Sequence, residues 1–274
     1  MISVVTGASA GIGAAAAEAL ARAGHDVVIV GRSRAKLDSV ADRVAAVSGR
    51  RPDVAVADFT SFEDVTRLAA DLLDRYERID VLANNAGVMS AKRRTTRDGH
   101  EVMAQVNHLS PFLLTNLLLD RITASGGRVV TTSSAAARTG RLDPRDIDRA
   151  HRRWSAWLQY GDTKQANVLF TVELARRGVN ATCFHPGVVK TGFAPDSLYM
   201  KAVLMVPGVA RSPEQAASTL VHLATTPDGV EHSGRFFAKS ALASASRSMT
   251  DPTLAAALWD TSRAATGLST PDRT

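Results

Sequence analysis

The chain has 274 residues and a single cysteine, Cys183. One thiol closes no disulfide within the chain and builds no cysteine-based zinc site. Its place in the apolar run 179–184 reads as a small buried side chain, not a reactive one. The lack of disulfides fits a reducing, cytoplasmic setting. Long hydrophobic runs are missing too. No stretch reaches about 18 apolar residues, so no membrane span is expected. The first apolar stretch, residues 2–5, runs straight into a glycine turn and is too short for a signal peptide. Aromatic residues are sparse at 5%, and the basic groups behind the net charge of +6 are scattered: Arg50-Arg51, Lys92-Arg93-Arg94, Arg152-Arg153 and Arg176-Arg177. Neither zinc-finger spacing nor the aromatic pattern of an RNA-binding module accompanies them, so they read as solvated surface and not as a nucleic-acid face. Internal repeats and Pro-, Gly- or Ser-rich linkers are absent as well, which leaves one domain over residues 1–274 as the expectation.

What is present is an ordinary globular composition, 45% hydrophobic and 22% charged. Short β-branched runs alternate with longer helical stretches. Strands are expected at residues 2–6, 26–30, 54–57, 79–83, 128–132, 180–184 and 235–238, and helices at 12–23, 34–47, 62–76, 97–122, 159–177 and 213–224. The strands are near-continuously apolar, as in a parallel sheet covered on both faces. The alternation predicts an α/β fold: one doubly wound Rossmann domain with a seven-stranded parallel sheet flanked by helices. Two stretches break the rhythm, 135–158 and 192–211. Both follow strand ends, where open α/β sheets bind ligands. Residues 198–207 are apolar without polar alternation, which suits a substrate lid and, equally, a core helix or subunit contact.

The chemistry gathers at those strand ends. Of three tyrosines, only Tyr160 has a lysine four residues on, Lys164, and on a helix the two share a face. A free phenol, with a pKa of about 10, is a poor base near neutrality, and a nearby cation favours the phenolate. The first strand ends in Thr6-Gly7-Ala8-Ser9-Ala10-Gly11-Ile12-Gly13. Glycines there let the backbone approach a pyrophosphate, and the helix that follows offers free N–H groups. The spacing lacks the Lys-Ser/Thr of an ATP phosphate loop. After the second strand comes Gly31-Arg32-Ser33, where an acidic residue would hold ribose hydroxyls; Arg32 suits a 2′-phosphate instead, favouring NADP(H) over NAD(H). Asp58-Phe59 follow the third strand, and Asn84-Asn85-Ala86-Gly87 the fourth. Asn107 lies mid-helix in a stretch that reads as buried. The fifth strand ends in Thr131-Thr132-Ser133-Ser134 and the sixth in His185-Pro186-Gly187-Val188-Val189-Lys190-Thr191. His185 has no second ligand at metal spacing and reads as structural; no metal site is expected.

In this order the motifs identify the chain as resembling the short-chain dehydrogenases/reductases over residues 2–268, and within them the retinol-dehydrogenase-like branch. The branch resemblance rests on the run from Tyr160 to Arg176, on His185-Pro186-Gly187-Val188, on the 26-position gap from Ser134 to Tyr160, and on Ala257-Leu258-Trp259-Asp260. The resemblance implies that Tyr160 exchanges a proton with the substrate oxygen, and that Lys164 lowers its pKa and holds the nicotinamide ribose. Ser134 would orient the carbonyl, and Asn107 would hold a water in a proton relay. Cofactor contacts would come from Gly7, Ser9, Ala10, Gly11, Ile12, Gly13, Arg32, Asp58, Phe59, Asn84, Ala86, Gly87, Pro186, Gly187, Val189 and Thr191, besides Tyr160 and Lys164. Membrane-bound relatives carry an apolar N-terminal anchor; this chain starts at its first strand, so a soluble protein acting on a lipophilic carbonyl or alcohol is expected, with a homo-oligomer compatible. The alternatives are an NADPH-dependent C=C reductase and a catalytically idle NADP-binding regulator.

Overall fold

The computed structural model describes residues 1–189 and 210–268. Eight strands form one sheet: β1 (Ile2–Thr6), β2 (Asp26–Gly31), β3 (Asp53–Val56), β4 (Val81–Asn84), β5 (Arg128–Thr132), β6 (Ala181–His185), β9 (Phe236–Ala238) and β10 (Ala241–Leu242), in the order β10-β9-β6-β5-β4-β1-β2-β3. All neighbours are parallel except β9 and β10. The order reverses direction at β1, which pairs with β2 on one side and β4 on the other, and opens the ligand-binding crevice beyond these strand ends. The doubly wound fold is therefore as expected, with eight strands instead of seven. The extra strand arises from a two-residue hairpin at Lys239 and Ser240, both at positive φ (53° and 57°). That geometry suits Asn-Gly far better than Lys-Ser, so the sequence carries little signal for it.

Helices cover both faces. On one, α1 (Gly11–Arg22) and α2 (Arg34–Ser48) pack with a later helix, Pro213–Thr225, over Val5, Ile29, Val81 and Val130. Alanine fills the buried face of α1 at positions 14 to 17, which lets that helix approach closely. On the other face, α3 (Phe62–Arg75) joins Phe112, Leu114, Phe170 and Trp259 over Val4, Leu82 and Val129. Ser61 caps α3 by accepting the Asp64 N–H, and Glu63 and Asp64 complement the helix N-terminus.

The helix expected at 97–122 is broken. Gly99 takes φ 88° in a turn, and helix α4 starts only at Val102 (Val102–Ala104), with Glu101 accepting the Met103 and Ala104 N–H groups. A π turn, Gln105–Leu109, follows, in which the Ser110 N–H donates to Gln105 five residues back. Its cause is Pro111: it has no N–H for the Asn107 carbonyl four residues earlier, and its ring would press on that carbonyl in an α-helix. The stretch continues as α5 (Ser110–Leu117) and α6 (Leu119–Ala124). Helix α7 (Ala156–Arg176), which carries Tyr160 and Lys164, starts three residues earlier than expected, capped by Ser155. In the C-terminal half, α8 is Pro213–Thr225, and α9 (Asp228–Glu231) and α10 (Arg247–Thr250) are short. Helix α11 (Pro252–Ala265), which sequence reading passed over, starts on an Asp251 cap followed by proline, a readable signal. Two short strands, β7 (Val188–Val189) and β8 (Ala210–Arg211), pair in parallel. Ala210 and Arg211, at the end of the expected lid segment 192–211, are thus strand; its residues 192–209, and Thr191, lie outside the described residues.

Candidate active site

The turn after β1 has close contacts that only glycine tolerates. Gly7 sits at φ 66°, and a Cβ there would lie 2.8 Å from the Ala86 Cα. A Cβ on Gly13 would lie 2.4 Å from the Gly7 carbonyl oxygen and 2.7 Å from Asn85 Nδ2. Gly11 takes φ 56° as α1 begins. Ala10, at the cap position of α1, provides no side-chain cap, and Ile12 lies in the first turn, so the leading N–H groups of the helix face outward unsatisfied by side chains.

Over this turn lies a cleft lined by Gly7, Ser9, Arg32, Asp58, Phe59, Ala86 and Gly87, all expected in a cofactor site, with Val30, Gly31, Ala57, Val88 and Val106. Arg32 is exposed and makes no ion pair or hydrogen bond with any described residue. Asp58 accepts the Thr60 N–H at 2.9 Å. Phe59 is buried, its carbonyl taking the Ser110 hydroxyl at 2.7 Å. Asn84 turns away from the cleft: it is buried and donates to Thr115 Oγ1 at 2.8 Å. Its neighbour Asn85, passed over as an individual residue, does more. It donates to the Thr6 carbonyl at 3.1 Å and accepts from Thr132 Oγ1 at 3.1 Å, stitching β1, β4 and β5 at the crevice.

Beside the cleft the four expected catalytic residues meet. Ser134, just past β5, hydrogen-bonds the Tyr160 hydroxyl and accepts the Ala136 N–H at 3.2 Å. Lys164 Nζ lies 5.6 Å from the Tyr160 ring centre and donates to the Thr132 carbonyl at 3.1 Å. Ser133 donates to the Lys164 carbonyl at 2.7 Å, fixing α7 at the C-terminal end of β5. Asn107, in the π turn, is fully buried; it accepts the Val88 N–H at 2.7 Å and donates to the Val88 carbonyl at 3.0 Å and to Thr163 Oγ1 at 3.1 Å.

Burial dominates the electrostatics. It pushes the Tyr160 phenol up to about 12, opposed by the Ser134 hydrogen bond, and pulls Lys164 down to about 8. The expected lowering of the phenol by Lys164 is thus not the prevailing effect in this structure. Desolvation outweighs it because both groups are almost fully buried.

His185 is structural, as expected. Its Nδ1 accepts from the Ala135 N–H at 3.1 Å and the Gly187 N–H at 3.4 Å, tying the Ser134 turn to the Pro186-Gly187 turn. Burial, with Arg138 and Arg211 nearby, lowers it to about 4, so it stays a neutral acceptor. Gly187 takes φ 92° against the Arg211 side chain, whose Nη1 donates to the Pro186 carbonyl at 3.3 Å, and Val189 lies in β7. Cys183 is buried and its thiol is pushed up to about 12. Among the described residues no group of His, Cys, Asp or Glu can hold a metal ion, and no helix is long and apolar enough to cross a membrane.

The family model for short chain dehydrogenases matches residues 1–201. The protein named "Putative daunorubicin C-13 ketoreductase DnrU", from Streptomyces sp. (strain C5), is 43% identical over 266 residues, covering 96% of this chain and 92% of that protein. Human retinol dehydrogenase 13 is 34% identical over 283 residues, covering 98% and 85%. A solved structure of an uncharacterized protein from Mycobacterium paratuberculosis matches with a TM-score of 0.78 at 32% identity, covering 98% of this chain and 94% of that one. Family model, relatives and fold agree with the site's geometry: the chain belongs to the short-chain dehydrogenase/reductase family of oxidoreductases, on its retinol-dehydrogenase-like branch.

Proposed function

We propose that the protein interconverts a carbonyl and an alcohol on a lipophilic small molecule with NADP(H). The observation that carries this reading is the Tyr160 hydroxyl, bonded to Ser134 and one helical turn from Lys164, at the edge of a glycine-walled cleft. The residues present fit a dinucleotide: the leading N–H groups of α1 carry no side-chain cap, and Arg32 stands free at a cleft lined by Gly7, Gly31 and Gly87. When bound, the nicotinamide supplies or takes up the hydride. Tyr160, neutral at physiological pH, gives its hydroxyl proton to the carbonyl oxygen in reduction and takes it back in oxidation. Ser134 shares that oxygen and orients it. Lys164 spends one N–H on the Thr132 carbonyl and keeps two for ribose hydroxyls. Because Asn107's amide is committed to Val88 and Thr163, a water of the proton relay would rest on its backbone carbonyl, which Pro111 leaves without the usual α-helical donor. Arg32 would grip the 2′-phosphate with its planar fork. The names of the relatives, a ketoreductase and a retinol dehydrogenase, support an apolar carbonyl or alcohol as substrate.

The test is NADPH consumption against a panel of aldehydes, ketones and enones, with product identification. Alcohol products that disappear with Tyr160→Phe, by about 100-fold or more in turnover while NADPH still binds, support the reading. Saturated ketones formed from enones would move the protein to C=C reduction. Equal turnover by Tyr160→Phe would remove the acid/base assignment.

A further inference from the structure

The segment between Ser134 and Tyr160 is tied to the catalytic helix by Gln159 and Gln165 and, at its centre, by one buried carboxylate. Asp162, two residues past Tyr160, is 1% exposed. Its Oδ1 accepts the Arg141 N–H at 2.8 Å, and its Oδ2 takes Arg149 Nε at 2.8 Å and Arg152 Nη2 at 3.4 Å. Arg149 is 5% exposed and sits at φ 47°, a backbone angle that persists for a bulky residue only where its surroundings over-determine it. Its Nη1 continues to the Arg153 carbonyl at 2.9 Å. The segment also lies very close to the helix: a Cβ on Gly140 would stand 2.7 Å from the Gly161 carbonyl oxygen. A buried ion pair adds little net stability but fixes register firmly, since neither charge tolerates losing the other.

What that register fixes is the next residue, Trp154. Its side chain packs against the cluster of Met103, Ala136 and Tyr160, where Val88 and Met89 also meet. Val88 lines the cofactor cleft as well, so this apolar wall begins where the cleft ends. The Trp154 indole N–H is buried and has no hydrogen-bond partner among the described residues. Buried tryptophan N–H groups usually find an acceptor, and one left unpartnered on a side chain that packs against the Tyr160 cluster asks for a ligand atom. A flat indole with a neighbouring thioether favours a flat, polarisable ring over a saturated chain.

We infer that Trp154 determines substrate specificity: its ring is the wall on which an aryl or fused-ring ketone lies beside Tyr160, its N–H takes a second oxygen on that substrate, and the Arg149–Asp162 pair holds it in place. The inference rests on the carbonyl–alcohol reading of the site and names its substrate class. The bland alternative, Trp154 as filler beneath a loop, predicts a general loss of stability with no change in substrate preference.

The experiment uses the full chain with 2-octanone, acetophenone, 2-acetylnaphthalene and its 6-methoxy derivative. It reads kcat/KM with NADPH, together with calorimetric binding of each ketone to the protein saturated with NADP+. Trp154→Ala is expected to lower both quantities at least tenfold for the naphthyl ketones and less than threefold for 2-octanone, with NADP(H) affinity unchanged. Trp154→Phe should restore 2-acetylnaphthalene to within about threefold while the methoxy derivative stays at least fivefold weaker. Arg149→Met should erode the preference for aryl over alkyl ketones in the same direction. A uniform fall across the series, an unchanged profile, or failure of the parent protein to bind any aryl ketone overturns the inference. Ketone binding without turnover, weakened by Trp154→Ala, refutes the oxidoreductase reading of these substrates and leaves the recognition wall standing.

Discussion

Replacing Lys164 by methionine should stabilise the cofactor-free protein at neutral pH, although it removes a group proposed to take part in catalysis. Lys164 is 3% exposed, and burial lowers its pKa from 10.5 to about 8. Below pH 8 it is charged in both folded and unfolded states, and the folded state bears the desolvation, on the order of 3 kcal/mol for a shift of this size. Between pH 8 and 10.5 the unfolded chain holds the proton while the folded one has released it. The unfolded state then binds more protons, so this residue's contribution to stability rises with pH through that window. Methionine follows the lysine side chain as far as Cε and removes the charged nitrogen. The Thr132 carbonyl is not orphaned, because Asn167 Nδ2 also donates to it at 3.1 Å. Subtracting about 1 kcal/mol for the lost Lys164 hydrogen bond leaves a net gain of roughly 2 kcal/mol at pH 7, or on the order of 5 °C in Tm for a chain this long. Tyr160 and Cys183, both held at about 12 by burial, remove stability as pH rises above their unfolded values, so the parent curve alone is not diagnostic. Urea unfolding of parent and variant from pH 7 to 10.5 isolates the lysine, since the other groups cancel in the difference. The expected advantage of the variant fades across that window. A variant that is less stable at pH 7, or a difference that does not change with pH, would refute the reasoning.

Other consequences follow from single contacts. Arg32→Asp should weaken NADP(H) by roughly 1.5–3 kcal/mol, the worth of a charge-assisted bond, and improve relative use of NAD(H); calorimetry on both cofactors checks it, and equal affinities in the parent would remove the basis for NADP preference. Gly13→Ala drives a Cβ into the Gly7 carbonyl, which cannot step aside, so it should cost about 1–3 kcal/mol of stability by overpacking and loosen cofactor binding; denaturant titration and NADPH fluorescence read the two effects. Asn85→Asp turns a donor toward the Thr6 carbonyl into a carboxylate facing it, so cofactor affinity and turnover should fall together; a loss in only one would show that the two ends of the crevice are not joined through this residue.

Much of this was readable from the amino-acid pattern because the signals are local. The glycine turn and the i, i+4 relation of Tyr160 to Lys164 are each set within a few residues, and the structure keeps both. Boundaries failed where a distant or context-dependent cause decides. The π turn comes from Pro111 acting backward on Asn107, inside a stretch whose apolar pattern looks like one helix. The Lys239-Ser240 hairpin needs two left-handed residues that neither side chain advertises. At the site the misses share one cause: Asn84 and Asn85 are adjacent and chemically identical, and only the strand's pleat decides which faces the crevice and which meets Thr115. The direction of the Tyr160 shift was hidden for a similar reason. A nearby cation is visible in a sequence, whereas the depth at which the pair is buried is a property of the packed core.

That core also explains how two distant motifs act as one site. Asn85 donates to the Thr6 and Gly7 carbonyls in the phosphate-facing turn, accepts from the Thr132 hydroxyl, and Thr132 in turn offers its carbonyl to Lys164. A run of hydrogen bonds therefore leads from the turn at residue 7 to the ammonium at residue 164, through side chains on the strands that border the switch point. Each link has a polar group buried where an unpaired partner would be costly. The turn proposed to receive a dinucleotide and the pair proposed to move a proton are consequently not free to drift apart. Lys164 tolerates its burial because Thr132 holds it, and Thr132 is held by Asn85. The burial that costs stability through Lys164 at neutral pH also raises the Tyr160 phenol to about 12, so stability is given up at the place where the proposed chemistry would use a dry proton donor.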